Sequence, residues 1–425
     1  MPANLVARLR KKRSLARAWR VILNNARSSR SRDTRREIDE FALDADAHLD
    51  RIQRQLNQGK FKFHPARGIP IPKKDGKSVR PIVVAPIETR IVQRAVHDVL
   101  LTVPRIKALS SNPFSFGGVQ KSQGETLAAV PAAIEAVLKS IGEGATFVIR
   151  SDISAFFTKI PKPTVIQMVA DAVDDAEFVR IFQQAIAVEL ENLAALGIHA
   201  ADFPLEDIGV AQGSSLSPLL GNLLLHEFDE QMNSGECRTI RYIDDFLILA
   251  HDPTTAERWF SRASQLLSKH GLKTAKDKTF RGLIQKGFEF LGIEIGNGRI
   301  TPSKASRSKL LEKVRDALNI TGQELREQAT GQISDSSFTM IRTLLEVSGI
   351  VNGWGHHYSF CNEKHVFSQL DGKLDEMLRE YFRKYSAARK LADSKGARRL
   401  LGVPLLEELA SRPFDWPKLG ANGKA

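Results

Sequence analysis

Two acidic sites carry the clearest chemical signal in this 425-residue chain. One is Asp152, at the end of the buried-type strand that begins TFVI in TFVIRSDISAFFTKIPK, residues 146–162. The other is the adjacent pair Asp244 and Asp245, set in the middle of the apolar, β-rich decapeptide RYIDDFLILA, residues 241–250. Neighbouring carboxylates repel each other and resist burial, so a strand-forming sequence has no structural use for them there. Singly, Asp152 reads as a cap or turn residue, and the pair as a solvated turn. Together they suggest a hairpin whose tip is brought up beside Asp152. Three clustered carboxylates are unfavourable without cations, and two Mg²⁺ ions, held by carboxylates and substrate phosphates, relieve that repulsion. Such ions perform in-line phosphoryl transfer, one activating an attacking hydroxyl and the other stabilising a leaving pyrophosphate.

The elements that must position these groups are legible around them. In GIPIPKKDGKSVRPIVVAP, residues 68–86, two extended segments flank a KKDGK turn whose Asp-Gly suits a tight hairpin. It displays Lys73, Lys74, Lys77 and Arg80. The plain reading is a solvated basic hairpin; the functional one is a flap in which Arg80 grips phosphate oxygens bidentately. In GVAQGSSLSPLLGNLLLHEFDEQM, residues 209–232, small residues form a compact loop and Pro218 opens a helix. Small residues there let a sugar or base approach the backbone. Residues 37–58 read as one amphipathic helix.

Composition narrows the partner. A net charge of +13 points to a polyanion, most often nucleic acid. Residues 1–36 hold twelve Lys or Arg against one acid, Asp33. That segment is open to three readings: a transit-type leader, a solvated tail, or a basic helical arm gripping phosphates. The arm is the preferred one, with Arg10, Lys11, Lys12, Arg13, Arg17 and Arg20 as its contacts. Two isolated cysteines, Cys237 and Cys361, exclude a zinc module or disulfide framework and fit a reducing compartment. No apolar run reaches the ~18 residues a membrane helix needs.

In order, IPKKDGKSVRP, SDISAFF, AQGSSLSPLLGN, YIDD, GLKTAKDKT and FEFLG resemble the successive finger and palm motifs of reverse transcriptases, over about residues 60–300. GWGHHYSF, residues 353–360, and the helix bearing Phe367, Leu370, Leu374, Met377 and Tyr381 are similar to the thumb of bacterial group II intron enzymes. The resemblance implies an α+β right-hand polymerase. Its parts would be a basic arm and helix at 1–60, fingers and an antiparallel palm at 61–300, a helical thumb at 301–390 and a tail at 391–425. It implies that Asp152 and Asp244 bind two Mg²⁺, with Mn²⁺ as a substitute, beside Asp245 and the Ile153 carbonyl. Phe157 falls where the family keeps an aromatic gate against a 2′-hydroxyl, although core packing beside Phe156 is the alternative. Gln212 would touch the incoming nucleotide or template, Lys73 and Arg80 its phosphates, and FEFLG the primer end. Lys278 would protonate pyrophosphate, unless it is a solvated loop charge.

Retron-type VTG and NAxxH elements are absent, SP stands at Ser217 and Pro218 where diversity-generating enzymes carry SQ, and no Cys-bearing endonuclease follows. What remains looks like the defence-associated bacterial reverse transcriptases. That implies a cytoplasmic enzyme copying a dedicated structured noncoding RNA into cDNA from a DNA or RNA primer, with dNTPs, during phage infection. The alternatives are an endonuclease-free group II intron maturase and a catalytically silent RNA-binding protein of the same fold.

Overall fold

The computed structural model describes residues 4–27, 31–73, 78–118, 129–332 and 339–409. By Cα proximity the chain divides into two compact units, residues 1–286 and 287–425.

The first unit opens with helices α1 (Leu5–Leu9), α2 (Lys12–Arg27), α3 (Arg32–Leu43) and α4 (Ala45–Asn57). The strands of a hairpin, β1 (Arg67–Pro72) and β2 (Val79–Val84), come next. Helices α5 (Ile87–Leu100), α6 (Pro104–Ser110) and α7 (Val130–Gly142) lead into β3 (Phe147–Asp152). Helices α8 (Lys162–Ala172), α9 (Ala176–Ile186), α10 (Ser217–Leu224) and α11 (His226–Met232) precede β4 (Arg238–Tyr242) and β5 (Asp245–Ala250). Helix α12 (Pro253–Ser268) and β6 (Phe280–Leu283) complete the unit.

Its sheet has the order β4-β5-β3-β6, and every pairing is antiparallel. The middle strands explain why. Phe246 to Ala250 of β5 are buried without interruption, as is expected of a strand covered on both faces. Helices cover it, and one continuous apolar core runs from Leu5 to Leu272.

Two sequence expectations change here. The basic N-terminus is not a free arm: Leu5, Leu9, Leu15, Trp19 and Ile22 are buried in the main core. A stretch dense in Arg and Lys still folds in because its apolar residues recur at helical spacing while the charges take the other face. Second, residues 37–58 do not form one helix. α3 ends and α4 begins at Asp44 (φ −140°, ψ 45°), leaving Leu43 87% exposed. The buried positions Ile38, Phe41, Leu49, Ile52 and Leu56 keep helical spacing across the break, so periodicity alone does not reveal it. The hairpin pairs as expected, with Ile71 opposite Arg80, while its Lys74–Lys77 turn lies outside the described residues.

The second unit begins with a three-stranded antiparallel sheet, β7 (Phe288–Phe290), β8 (Ile293–Gly296) and β9 (Arg299–Pro302). Among the described residues five α-helices follow: α13 (Lys304–Leu318), α14 (Gly322–Thr330), α15 (Met340–His357), α16 (Lys364–Leu391) and α17 (Ser394–Leu401). They bury Leu310, Val314, Leu325, Val347 and Leu400 in a core of their own. The stripe read on α16 does turn inward at Leu370, Leu374 and Tyr381. A Thr321–Glu324 capping box starts α14. Among the described residues no helix is long and apolar enough to cross a membrane.

Candidate active site

The aspartate pair sits where RYIDDFLILA must bend. Tyr242 pairs with Asp245 across β4 and β5, leaving Ile243 and Asp244 as a two-residue turn. Ile243 is forced to φ +60°, a region that disfavours β-branched residues. In the same sheet Asp152 lies opposite Asp245, and the Ile153 amide donates to the Asp244 carbonyl at 2.9 Å. Some ninety residues of chain are thereby closed into one acidic site.

The turn is held from behind. Arg241 of β4 is completely buried, and each of its three guanidinium nitrogens donates a hydrogen bond. It donates to both carboxylate oxygens of Asp229, to Asn222 Oδ1 at 3.1 Å and to the Ile243 carbonyl at 2.8 Å. Asn222 in turn donates to the Gly117 carbonyl. At Gly117 a side chain is barred, since a Cβ would stand 2.7 Å from the Ile243 nitrogen.

In front of the turn opens a cleft of 780 Å³ lined by Lys73, Arg80, Asp152, Ile153, Phe157, Gln212, Asp244 and Lys278 among others. Eight residues singled out from scattered motifs therefore share one cavity. Asp245 is not among its lining residues. Phe156 is 2% exposed and packs on Gly221 of α10, where a Cβ would meet its ring at 2.7 Å. Phe157 is only partly buried against the same core, and both neighbouring rings line the cleft. Gln212 is fixed through its backbone, whose carbonyl accepts from the Val83 amide at 2.9 Å.

Electrostatics mark the acids as strained in the absence of cations. Burial, then the Asp152 and Asp245 charges, push the Asp244 carboxyl up to about 7. Burial and Asp152 push Asp245 up to about 6, against the pull of Arg150 and Lys278. Lys278 donates to Asp152 Oδ2, and that hydrogen bond raises its own pKa. The other oxygen, Asp152 Oδ1, is buried with no hydrogen-bond partner. Among the described residues no group of three or more His, Cys, Asp or Glu forms a ready-made metal cluster. The orphaned Asp152 oxygen beside a crowded Asp244 nevertheless fits a divalent cation, a role part-filled here by the Lys278 ammonium.

Several residues escaped sequence reasoning. Arg90, Gln93, Arg94 and His97 of α5 form one wall of the cleft. Their spacing (i, i+3, i+4, i+7) makes a polar stripe on an otherwise apolar helix, which is the signal that could have revealed them. Arg241 was visible as a charge inside a strand, but its partners Asp229 and Asn222 are brought to it only by folding.

The basic N-terminal residues disperse. Arg10 is ion-paired to Glu177 at 2.5 Å, and Lys12 to Asp50 at 2.6 Å. Arg20 donates to the Ala16 carbonyl, one turn back. Lys11, Arg13 and Arg17 join Arg8 around a separate cavity of 290 Å³.

An antiparallel sheet that presents a strained acidic turn to a basic cleft, backed by helices, is the palm of a right-hand polymerase. The chain belongs to the reverse transcriptase (RNA-dependent DNA polymerase) family, whose pattern matches residues 71–295, more than half of its length. It is similar to Protein YkfC of Escherichia coli K12, 27% identical over 217 residues that cover 50% of this chain and 53% of YkfC. It also resembles the group II intron-encoded protein LtrA of Lactococcus lactis subsp. cremoris, 24% identical over 214 residues, 49% of this chain and 32% of LtrA. The chain thus spans about half or less of the length of these relatives. Among solved structures, telomerase from Candida albicans with a fragment of telomeric RNA aligns at TM-score 0.41 and 15% identity, covering 81% of this chain and 61% of that one. A partial Cas6-RT-Cas1–Cas2 complex aligns at 0.33 and 19%, covering 63% and 41%.

Proposed function

We propose that this chain is an RNA-directed DNA polymerase, extending a primer 3′-hydroxyl with dNTPs on an RNA template. The observation that carries the reading is the meeting of Asp152 and Asp244 at a cleft that also holds Lys73, Arg80, Phe157, Gln212 and Lys278. Divalent cations, Mg²⁺ or Mn²⁺, bound by Asp152, Asp244 and the Ile153 carbonyl would lower the charge on the attacking and leaving oxygens. The chain's own groups do the rest. Lys73 and Arg80 hold the triphosphate, and Gln212 fixes the nucleotide against the loop anchored to β2. The Phe157 ring crowds the position a 2′-hydroxyl would take. In transfer the primer oxygen bonds to the α-phosphorus, the bond to pyrophosphate breaks, and the hydroxyl proton leaves to solvent. Lys278, released from Asp152, delivers a proton to pyrophosphate. Asp245, opposite Asp152 in the sheet, would add its charge beside the cations.

Primer extension on an RNA template with the Asp244→Ala, Asp245→Ala double variant tests this. Loss of about three orders of magnitude in incorporation, with RNA binding retained, is expected; retained synthesis refutes it.

For the template, the finer reading is a dedicated structured noncoding RNA, copied by a cytoplasmic enzyme in antiphage defence. Its support is the likeness of the ordered motifs, with SP at Ser217 and Pro218, to the defence-associated bacterial enzymes. Intron maturation is the second reading, favoured by the likeness to LtrA. Sequencing of RNA and cDNA that copurify from the host separates them, since one recurrent neighbouring RNA favours defence and an intron favours maturation.

A further inference from the structure

The cavity of 290 Å³ at the N-terminal helices shares no lining residue with the catalytic cleft, and the reaction above makes no use of it. Its cations come from three places: Arg8 on α1, Lys11 between the helices, and Arg13 with Arg17 on α2. The short run from Arg8 to Arg13 sorts its charges by direction. Arg10 and Lys12 are spent on Glu177 and Asp50 within the fold. Arg8, Lys11 and Arg13 turn to the cavity instead, and among the described residues no carboxylate pairs with them or with Arg17. Like charges four residues apart on a helix, as Arg13 and Arg17 are, destabilise it. The arrangement therefore has no structural return.

The surroundings favour an anion as well. Arg8 Nη1 donates to the Thr102 hydroxyl at 2.9 Å, and the Ser14 hydroxyl donates to the Arg8 carbonyl at 2.8 Å, so the corner between α1 and α2 is braced. The acid in the lining, Asp98, is ion-paired with Arg94 at 2.9 Å. The first turn of α2 carries no acidic residue, which leaves the positive end of its dipole uncompensated where Arg13 and Ser14 meet the cavity.

The form of the cavity narrows the anion. A strand's internal phosphates bring one charge each, spaced along a line, and suit a basic stripe more than a hollow. Among the described residues the lining has no aromatic ring and a single apolar side chain, Val99, so a base has nothing to stack on. What fits is a compact group with several negative charges and many acceptor oxygens, which guanidinium forks grip bidentately. We propose that this cavity captures the terminal 5′-triphosphate of an RNA strand. The inference rests on the polymerase reading for its RNA partner. An unprocessed transcript begins with such a group, so its capture tells the two ends of an RNA apart and orients the strand on the protein.

The test uses the full chain and one short single-stranded RNA sequence carrying a 5′-hydroxyl, a 5′-monophosphate or a 5′-triphosphate, with affinities measured at one salt concentration. The triphosphorylated RNA should bind about tenfold more tightly than the hydroxyl form, with the monophosphate between them. Arg13→Gln with Arg17→Gln should abolish that preference without lowering the melting temperature, since both side chains are exposed. Arg20→Gln, on the same helix but outside the cavity, should keep it. Arg80→Gln should keep it too, which separates this site from the triphosphate contacts of the cleft. Equal affinity for the three RNAs, or a preference that survives in the Arg13, Arg17 variant, overturns the proposal. So does binding of free ATP or tripolyphosphate that is as tight as the RNA's and is lost in that variant, because the cavity would then be a site for free polyphosphate. A wild-type protein that shows the preference yet incorporates no dNTP on any template would sink the polymerase reading and leave the triphosphate site standing.

Discussion

The Arg241 guanidinium donates to the carbonyl of Ile243 at 2.8 Å, and so grips from within the core the one residue whose strained φ turns Asp244 toward the cleft. A bidentate hold on Asp229 and a bond to Asn222 leave the arginine no freedom to move away. Lysine cannot reproduce this fork. Arg241→Lys should therefore cost about 3–5 kcal/mol of stability through the abandoned Asp229 carboxylate, seen as a lower melting temperature. At temperatures where the variant is folded, the Mg²⁺ concentration for half-maximal incorporation should still rise several-fold. A variant that melts early yet keeps the wild-type metal dependence would reduce Arg241 to a packing residue.

The crowded acids predict an unusual pH dependence in metal-free protein. The Asp244 carboxyl is raised from its ordinary 3.8 to about 7 in the fold, so the folded state holds the proton more tightly than the unfolded one. The stabilising contribution is then complete below about pH 4 and is lost as pH rises through 7. With chelator at pH 8, Asp244→Asn should melt about 2–5 °C above wild type, and the gap should close towards pH 5. Added Mg²⁺ should raise the wild-type melting temperature and not that of the variant. Calorimetry across pH, with and without metal, reads both effects.

Two adjacent phenylalanines should behave differently. Phe156 is sealed against Gly221, and Phe156→Ala should cost about 3–5 kcal/mol in unfolding measurements. Phe157 lines the cleft, and Phe157→Ala should leave stability within about 1–2 kcal/mol while admitting ribonucleotides. The ratio of dNTP to NTP incorporation decides this, and unchanged sugar selectivity would remove Phe157 from nucleotide recognition.

The basic N-terminal residues divide in the same way. Charge reversal at Arg13 and Arg17, which face the 290 Å³ cavity, should weaken RNA binding and flatten its salt dependence by about 0.7 per lost single-strand contact. Arg10→Ala should act on folding instead, since Arg10 is locked to Glu177. Deleting residues 1–36 would confound the two, because α1 and α2 belong to the main core. Binding isotherms at several salt concentrations, paired with melting curves, distinguish them.

Sequence alone determined the family and much of the scaffold. Paired aspartates in an apolar strand run predict a hairpin turn, and the two-residue turn at Ile243 and Asp244 does form beside Asp152. Local rules suffice there because a two-residue turn, a Pro-capped helix and a buried strand are set by neighbours in the chain. Tertiary structure decided what neighbours cannot. It buried Phe156 against Gly221, more than sixty residues away, and left Phe157 the more exposed of two rings that both line the cleft. It also drew Asp229 and Asn222 onto Arg241, and spent Arg10 and Lys12 on ion pairs within the fold. A side chain's role follows from which distant surface it meets, and that contact exists only once the hydrophobic core has closed.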